Sequence, residues 1–320
     1  MKTKKFILSI FPRRLRVSVL KLNLRCRSWL MFKNWQNKYL IDGQPILLLS
    51  MPRSGSSWLG EVLGELDSFR YLREPITSLY MPRYRKPVSF FMPEKCIAPS
   101  YYNQLQVNAF EAYLNFTKGV VANCRDWFEP KIRKKLLIKE INPLYISQFL
   151  KNYDPRLIYL ERCPYAVAKS FQALGWYSHE LFSKRFSDED LEKFLSIKKD
   201  LLEQGFFYQM GFLQGVVKAK VEPYLNGKNS LVINYEQLIV SPESEIQKLV
   251  SFLGLSESET LKSLFYKSLS GKDMVSPGSF TTSRSQQALM SKINSDKYES
   301  DYRITIEAYE LAYNEYRKLK

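Results

Sequence analysis

Short apolar runs alternate with stretches of helical spacing along most of the chain. Residues 46–49 are apolar throughout, as in a parallel strand that is covered on both faces. After a short polar turn, Leu59, Val62, Leu63 and Leu66 recur at helical spacing. Further strands are predicted at 69–73, 136–140, 157–160 and 230–234. This alternation predicts an α/β fold with a doubly wound, mainly parallel sheet and helices on both faces. Ligands of such sheets bind at the carboxyl ends of the strands.

Helical patterning extends over most of the remaining chain. The predicted helices cover 104–118, 146–152, a segment starting near Pro164, 188–202, 206–224, 241–254 and 302–320. Five prolines between residues 75 and 99 predict a long ordered loop there, and loops of that length are usually functional. A chain of 320 residues with 45% apolar content suffices for one large domain, which we place at 41–320.

Positive charge is concentrated in residues 1–40, which hold eleven Lys or Arg and no acid. The whole chain has 48 basic and 32 acidic residues, so the remaining part carries only a small surplus, which argues against a nucleic-acid-binding surface. The arm has no apolar run long enough to cross a bilayer and no signal-peptide pattern. It is either an interfacial segment attracted to anionic lipid or a lead-in helix that packs on the domain.

The turn after the first strand, from Arg53 to Trp58, has the composition of an anion cradle. It holds one glycine, three serines and a cation at the start of a helix, where unpaired N–H groups and the helix dipole favour a phosphate or sulfate. It is not a nucleoside-triphosphate P-loop, because Ser56 stands where the G-x-x-x-x-G-K-[ST] pattern requires lysine. Two other predicted strand ends carry polar residues, Glu74 on the second and Arg162 on the fourth, with Ser170 eight residues after Arg162.

These residues resemble the PAPS-dependent sulfotransferases, and the pattern is most similar to that of the carbohydrate sulfotransferases. The segment Arg53-Ser54-Gly55-Ser56-Ser57-Trp58 resembles the family's 5′-phosphosulfate loop. The strand ending in Arg162, followed by Pro164 and Ser170, resembles its 3′-phosphate motif, although Cys163 replaces the usual Asp or Asn. The stretches 233–238 and 252–255 resemble two trailing segments of the family, Tyr-Glu-Asp-Leu and Phe-Leu-Gly-Leu.

The resemblance implies PAPS as co-substrate, with no metal. Arg53 and residues Ser54, Gly55, Ser56 and Ser57 would hold the 5′-phosphosulfate, Trp58 would lie against the adenine, and Arg162 and Ser170 would bind the 3′-phosphate. Sulfuryl transfer involves less charge than phosphoryl transfer, so cations and N–H donors suffice without magnesium.

The acceptor hydroxyl needs a general base, and the resemblance points to a Glu. The segment 139–143 places Ile141 where the small-molecule enzymes of the family have their His. Leu72-Arg73-Glu74-Pro75 is similar to a Glu-Pro segment of carbohydrate 6-O-sulfotransferases, so we predict Glu74 as the base, with Arg53 stabilising the leaving phosphate oxygen. Glu140 is the second candidate and His179, the single histidine, the third.

The resemblance to carbohydrate enzymes implies a hydroxyl on a glycan or glycolipid as acceptor. The loop 76–99 is the predicted acceptor site, because it offers the cations Arg83, Arg85 and Lys86 beside Tyr80, Tyr84, Phe90 and Phe91. Four widely spaced cysteines and one histidine indicate free thiols in the cytoplasm rather than a zinc site. Two alternatives stay open: a kinase-like phosphotransferase with a divergent P-loop, and a non-catalytic nucleotide-binding module associated with the membrane.

Overall fold

The computed structural model describes residues 39–84, 88–113, 120, 131–176, 180–270 and 285–319. The predicted arm 1–40 lies outside the described residues apart from Tyr39 and Leu40, as do His179, Arg85 and Lys86. The division into an arm and a domain at 41–320 therefore stays a prediction.

A five-stranded parallel sheet forms the centre of the described molecule. Its spatial order is β2-β3-β1-β4-β5, and every neighbouring pair is parallel. The strands are β1 Ile46–Ser50, β2 Phe69–Arg73, β3 Lys135–Glu140, β4 Arg156–Glu161 and β5 Ser230–Asn234. From β1 the chain turns to one side of the sheet, and from β4 it turns to the other. The crevice of this doubly wound fold therefore lies between the carboxyl ends of β1 and β4. The predicted fold class is confirmed.

Twelve α-helices surround the sheet in the described residues. They are α1 Ser56–Gly64, α2 Thr77–Tyr84, α3 Pro99–Phe110, α4 Ile146–Tyr153, α5 Pro164–Gln172, α6 Asp188–Ile197, α7 Phe206–Val221, α8 Tyr235–Val240, α9 Pro242–Leu253, α10 Ser258–Leu269, α11 Gln286–Asp296 and α12 Ser300–Lys318. In this part of the chain, no helix is both long and apolar enough to cross a membrane.

Alternate residues of the central strand point into two separate cores. Leu47 and Leu49 of β1 belong to one buried cluster, and Ile46 and Leu48 belong to the other. Each face of the sheet is thus covered by helices, which explains why β1 is apolar at every position from 46 to 49.

Two glycines allow α7 and α12 to pack with their backbones in contact. A Cβ atom on Gly211 would lie 2.2 Å from the carbonyl oxygen of Thr305, and one on Gly215 would lie 2.3 Å from that of Tyr309. Helix α5, which follows β4, packs against both α7 and α12. This helix pair therefore supports the element that carries Ser170.

The predicted proline-rich loop differs from the observed structure. Its first part is α2, which contains Pro82, and a 3₁₀ turn covers Pro93–Lys95. Proline removes one N–H and disfavours a helix interior, but α2 is short and a carboxylate from another strand binds its first N–H groups. Helix α3 begins earlier than the predicted 104–118, because Pro99 occupies its first position, and it ends at Phe110.

Candidate active site

The loop after β1 has the geometry of an anion cradle. Gly55 precedes α1 in the left-handed conformation, with φ of 95°. A Cβ atom there would also lie 2.5 Å from the ring of Tyr235. Both the backbone conformation and the close approach of this ring therefore require glycine. The Ser50 hydroxyl donates to Ser56 Oγ at 2.8 Å, which fixes the start of α1 against the end of β1. As the first residues of the helix, Ser56 and Ser57 have N–H groups without partners inside it.

Arg53 connects this loop to the strand end of β4. Its Nε donates to Ser170 Oγ at 2.9 Å, and its carbonyl oxygen accepts from Arg162 Nη1 at 2.7 Å. The sequence prediction placed Arg53 in one cradle and Arg162 with Ser170 in the other. The structure brings all three together at the crevice between β1 and β4.

The ring of Tyr235 contacts residues that follow both β1 and β4. Its ring is buried, covers Gly55, and carries the Arg162 guanidinium 4.6 Å from its centroid. Arg162 Nε is buried and has no hydrogen-bond partner. Tyr235 directly follows β5, within the stretch 233–238, and no site role was predicted for it.

Trp58 lies mainly in the core. Its side chain is 7% exposed, packs edge-on against Tyr235 and Phe265, and donates from Nε1 to Ser268 Oγ at 2.9 Å. Contact with an adenine therefore stays a prediction for the small part of the ring that remains accessible.

Glu74 follows β2 in a left-handed conformation with φ of 50°. Its carboxylate forms an ion pair with Lys139 of β3, whose side chain is 2% exposed against 20% for Glu74. Burial raises the pKa of Glu74, but the charge and hydrogen bond of Lys139 outweigh burial, and the pKa lies below its ordinary value. Glu74 is thus an ionised carboxylate with an accessible edge. Lys139 lies in the segment 139–143, and no site role was predicted for it.

Glu140, the second candidate base, is completely buried at the end of β3. Its Oε1 accepts from the backbone N–H groups of Ile76 at 2.7 Å and Thr77 at 3.3 Å, and its Oε2 accepts from the Thr77 hydroxyl at 2.6 Å. Burial raises the pKa of Glu140 to about 7, against the lowering effect of these donors. Both oxygens point at the β2–α2 loop.

All these groups lie along one edge of the sheet. Glu140 aligns with Leu49 of β1, and Lys139 aligns with Arg73 of β2. Neighbouring strands are about 4.8 Å apart, so the ends of β2 and β1 are separated by about 10 Å. A carboxylate on β2 and a cation after β1 can therefore approach a common ligand from two sides.

The predicted acceptor loop needs a correction. Tyr80, Phe90 and Phe91 are at most 1% exposed, so they have no face to offer a sugar ring. Tyr80 and Phe91 pack with Tyr102 of α3 in an aromatic cluster, and Phe90 lies against the guanidinium of Arg185. Arg83 is exposed and lies 4.3 Å from the ring of Tyr101. Arg85 and Lys86 lie outside the described residues, and nothing is described of the side chain of Tyr84.

A cavity of about 600 Å³ adjoins the crevice on the β4–β5 side, and its lining includes Ser54, Arg162, Cys163, Glu236, Asp296 and Tyr302. Burial raises the pKa of both Cys163 and Glu236, so neither is an activated nucleophile or a strong acid there. Among the described residues, no group of three or more His, Cys, Asp or Glu side chains could hold a metal ion.

The family profile described as the sulfotransferase domain matches residues 43–309, which is most of the chain. The chain belongs to the sulfotransferase family. The predicted family and the predicted enzyme class are confirmed by this match. A search of curated protein sequences found no match.

Solved structures similar to this sulfotransferase have low sequence identity to it. The sulfotransferase domain from the curacin biosynthetic pathway is 16% identical, with 85% of this chain and 99% of that chain covered and a TM-score of 0.48. The sulfotransferase domain from the Synechococcus PCC 7002 olefin synthase is 16% identical, with 86% of this chain and 97% of that chain covered and a TM-score of 0.46. Mouse sulfotransferase SULT7A1 complexed with PAP is 15% identical, with 84% of this chain and 90% of that chain covered and a TM-score of 0.39.

Proposed function

We propose that this sulfotransferase moves a sulfuryl group from PAPS to a hydroxyl acceptor by in-line displacement. The observation that carries the proposal is the direct connection of the two predicted cradles, through Arg53 Nε to Ser170 Oγ and Arg162 Nη1 to the Arg53 carbonyl. A nucleotide with phosphate at both ends fits a site in which both cradles meet. Other support comes from the left-handed Gly55, which leaves the backbone open to an anion, and from the unpartnered Arg162 Nε.

Each cradle has a separate role in this proposal. Arg53 and the backbone of residues 54–57 hold the 5′-phosphosulfate, and Arg53 stabilises the leaving phosphate oxygen. Arg162 and Ser170 bind the 3′-phosphate, and the accessible edge of Trp58 contacts the adenine. PAPS, when bound, supplies an activated sulfuryl group. The N–H donors and cations are fixed before the reaction, so they stabilise the developing charge without reorganisation, and we assign no metal to the step.

We assign the general base to Glu74 rather than to Glu140. Glu74 is ionised and has an accessible edge at the end of β2, whereas all acceptor positions of Glu140 face the protein interior. Lys139 makes Glu74 a weaker base than an isolated Glu. A base of this kind accepts the acceptor proton late, when the hydroxyl oxygen is already bonding to sulfur.

Nucleotide binding tests the proposal most directly. We expect PAP to raise the melting temperature much more than AMP or ATP, and Arg162→Ala to abolish this selectivity. Arg156→Ala is the matched control, because Arg156 lies at the opposite end of β4 and stacks on Phe252. Thermal shift and calorimetry measure both effects. An equal or stronger response to ATP, with a magnesium requirement, would instead favour the kinase-like phosphotransferase.

Substitution of the base tests the chemistry separately from binding. We expect Glu74→Gln to lower the rate of PAPS consumption by about 100-fold or more, with PAP affinity unchanged, because the amide cannot take up a proton. Glu65→Gln, on an exposed residue just after α1, is the control. Retained turnover in Glu74→Gln would transfer the role to Glu140. Binding without any turnover in the wild-type protein would favour the non-catalytic module.

We propose a carbohydrate hydroxyl, on a glycan or glycolipid, as the acceptor. Support comes from the Leu72-Arg73-Glu74-Pro75 segment and from Ile141 in the position of the small-molecule enzymes' His. The exposed Arg83 and the half-buried Tyr101 offer a cation and a ring on α2 and α3. Transfer of labelled sulfate to a panel of glycans, glycolipids, phenols and steroids tests this choice, and preference for a phenol or steroid would contradict it.

We place the enzyme in the cytoplasm, peripheral to an anionic membrane surface. The free thiols Cys96 and Cys163 support a reducing compartment, and the eleven cations of residues 1–40 support lipid attraction. Co-sedimentation with vesicles of phosphatidylserine and phosphatidylcholine tests the second point, and equal binding to neutral vesicles would contradict it.

A further inference from the structure

We propose that Glu140 is a positioning residue that holds Glu74 in place through Thr77 and the β2–α2 loop. The inference rests on the proposed role of Glu74 as general base. It assigns a function to a buried carboxyl group that the chemistry itself does not use.

Three hydrogen bonds join Glu140 to the loop. Its carboxylate receives both N–H groups at the start of α2, from Ile76 and Thr77, together with the Thr77 hydroxyl at 2.6 Å. A helix usually takes such a capping oxygen from its own preceding residue. Here the cap comes from β3, so the start of α2 is fixed relative to the sheet.

The loop between Glu74 and Thr77 is short enough to pass this constraint on. Glu74 precedes Ile76 by two residues, and its N–H group donates to the Lys139 carbonyl at 2.7 Å. The Glu74 carbonyl in turn accepts from the Ser78 N–H in α2 at 2.9 Å. A non-glycine residue at positive φ persists only where its surroundings determine the conformation. The backbone of Glu74 is therefore held through its N–H group by β3 and through its carbonyl oxygen by α2.

The two neighbouring residues of β3 divide the work. The side chain of Lys139 pairs with the Glu74 carboxylate, while Glu140 binds the backbone that follows it. Besides Lys139, the charge of Arg73 and a hydrogen bond from Ser78 lower the pKa of Glu74. The groups that affect the pKa of Glu140 are Thr77, Ile76, Glu74 and Lys139. If the loop loosens, the Lys139–Glu74 pair loses its geometry, and this change is measurable without an acceptor.

The test compares Thr77→Val with Thr77→Ser in the full chain. Valine keeps the shape of threonine but removes the hydroxyl that donates to Glu140, whereas serine keeps that hydroxyl. Carbon-13 NMR of labelled glutamate reports the titration of Glu74, which the Glu74→Gln spectrum assigns. In Thr77→Val we expect the pKa of Glu74 to move from its lowered value towards 4.5. In Thr77→Ser we expect it to stay low.

Turnover provides a second readout. Misplacement of a reacting group by about 1 Å can cost about 100-fold in rate, so we expect Thr77→Val to lower kcat for PAPS consumption at least tenfold. PAP affinity should be unchanged, since Arg53, Arg162 and Ser170 are untouched. In the Glu74→Gln background, Thr77→Val should cause no further loss, because Glu140 acts through Glu74.

Two results would overturn the inference. One is an unchanged pKa of Glu74 in folded Thr77→Val, and the other is an equal loss of rate whether or not Glu74 is present. The pKa measurement remains decisive if PAP fails to bind selectively, and that failure would count against the proposed function instead.

Discussion

The residues predicted to act on the reacting groups are also residues with unusual backbone conformations. Four non-glycine residues in the described part have positive φ, and Arg53 and Glu74 are two of them. Neither is an Asn or Asp, which tolerate this region best. In each case contacts from a neighbouring strand end hold the backbone: Arg162 binds the carbonyl of Arg53, and the Lys139 carbonyl binds the N–H of Glu74. These hydrogen bonds to neighbouring strand ends therefore offset the conformational strain at Arg53 and Glu74.

The buried Glu140 gives the stability of the protein a specific pH dependence. Burial raises its pKa to about 7, whereas in the unfolded chain the value is near 4.5. Between these values the folded protein binds more protons than the unfolded chain, so this group lowers the free energy of unfolding as the pH rises. We expect Glu140→Gln to remove that fall, which amounts to about 3 kcal/mol at most. Urea unfolding from pH 5 to pH 8 measures it, and an identical slope in wild type and variant would contradict the assignment.

At the scale of elements, the contact of α7 with α12 determines how firmly α5 is held. Both helices pack against α5, which carries Ser170 near its end. Gly211 and Gly215 bring the two backbones within contact distance, and this closeness leaves no space for a side chain on α7. The element that carries Ser170, a residue of the proposed 3′-phosphate cradle, thus depends on how closely these two helices pack.

We expect Gly215→Ala to destabilise the protein, even though alanine is the better helix former by about 1 kcal/mol. The new Cβ would lie 2.3 Å from the Tyr309 carbonyl oxygen, and overpacking of this kind typically costs about 1–3 kcal/mol. Gly227→Ala is the control, because the nearest atom there is 3.9 Å away. Denaturant midpoints give the comparison. A Gly215→Ala variant as stable as Gly227→Ala would show that the helices can separate without cost.

At the scale of the whole molecule, the sequence predicts the sheet well, and it places the candidate site residues of β1 and β4 in recognisable segments. The five strands have local signatures, and Arg53, Gly55, Arg162 and Ser170 belong to short motifs directly after strands. Contacts between distant segments are another matter. The position of Tyr235 over Gly55 joins residues 180 positions apart, and the pairing of Lys139 with Glu74 depends on the β2–β3 register. No local pattern contains either contact.

The error in the acceptor loop has the same origin. Aromatic residues beside cations are typical of a sugar-binding surface, but Tyr80, Phe90 and Phe91 are buried, and Tyr102 from α3 packs on Tyr80 and Phe91. Whether an aromatic side chain is a binding surface or part of the core depends on what packs on it. That information lies in the tertiary structure, and neither composition nor spacing contains it.

The hydrogen bond from Arg53 to Ser170 joins the two proposed cradles directly. In the proposed function, a ligand that draws Ser170 away from Arg53 would release the guanidinium at the other cradle. Under the proposed function, recognition would depend on both anionic groups at once, because a molecule bearing only one of them would not fill both cradles. A nucleotide with a single anionic end would therefore bind in the crevice without forming the arrangement proposed for transfer.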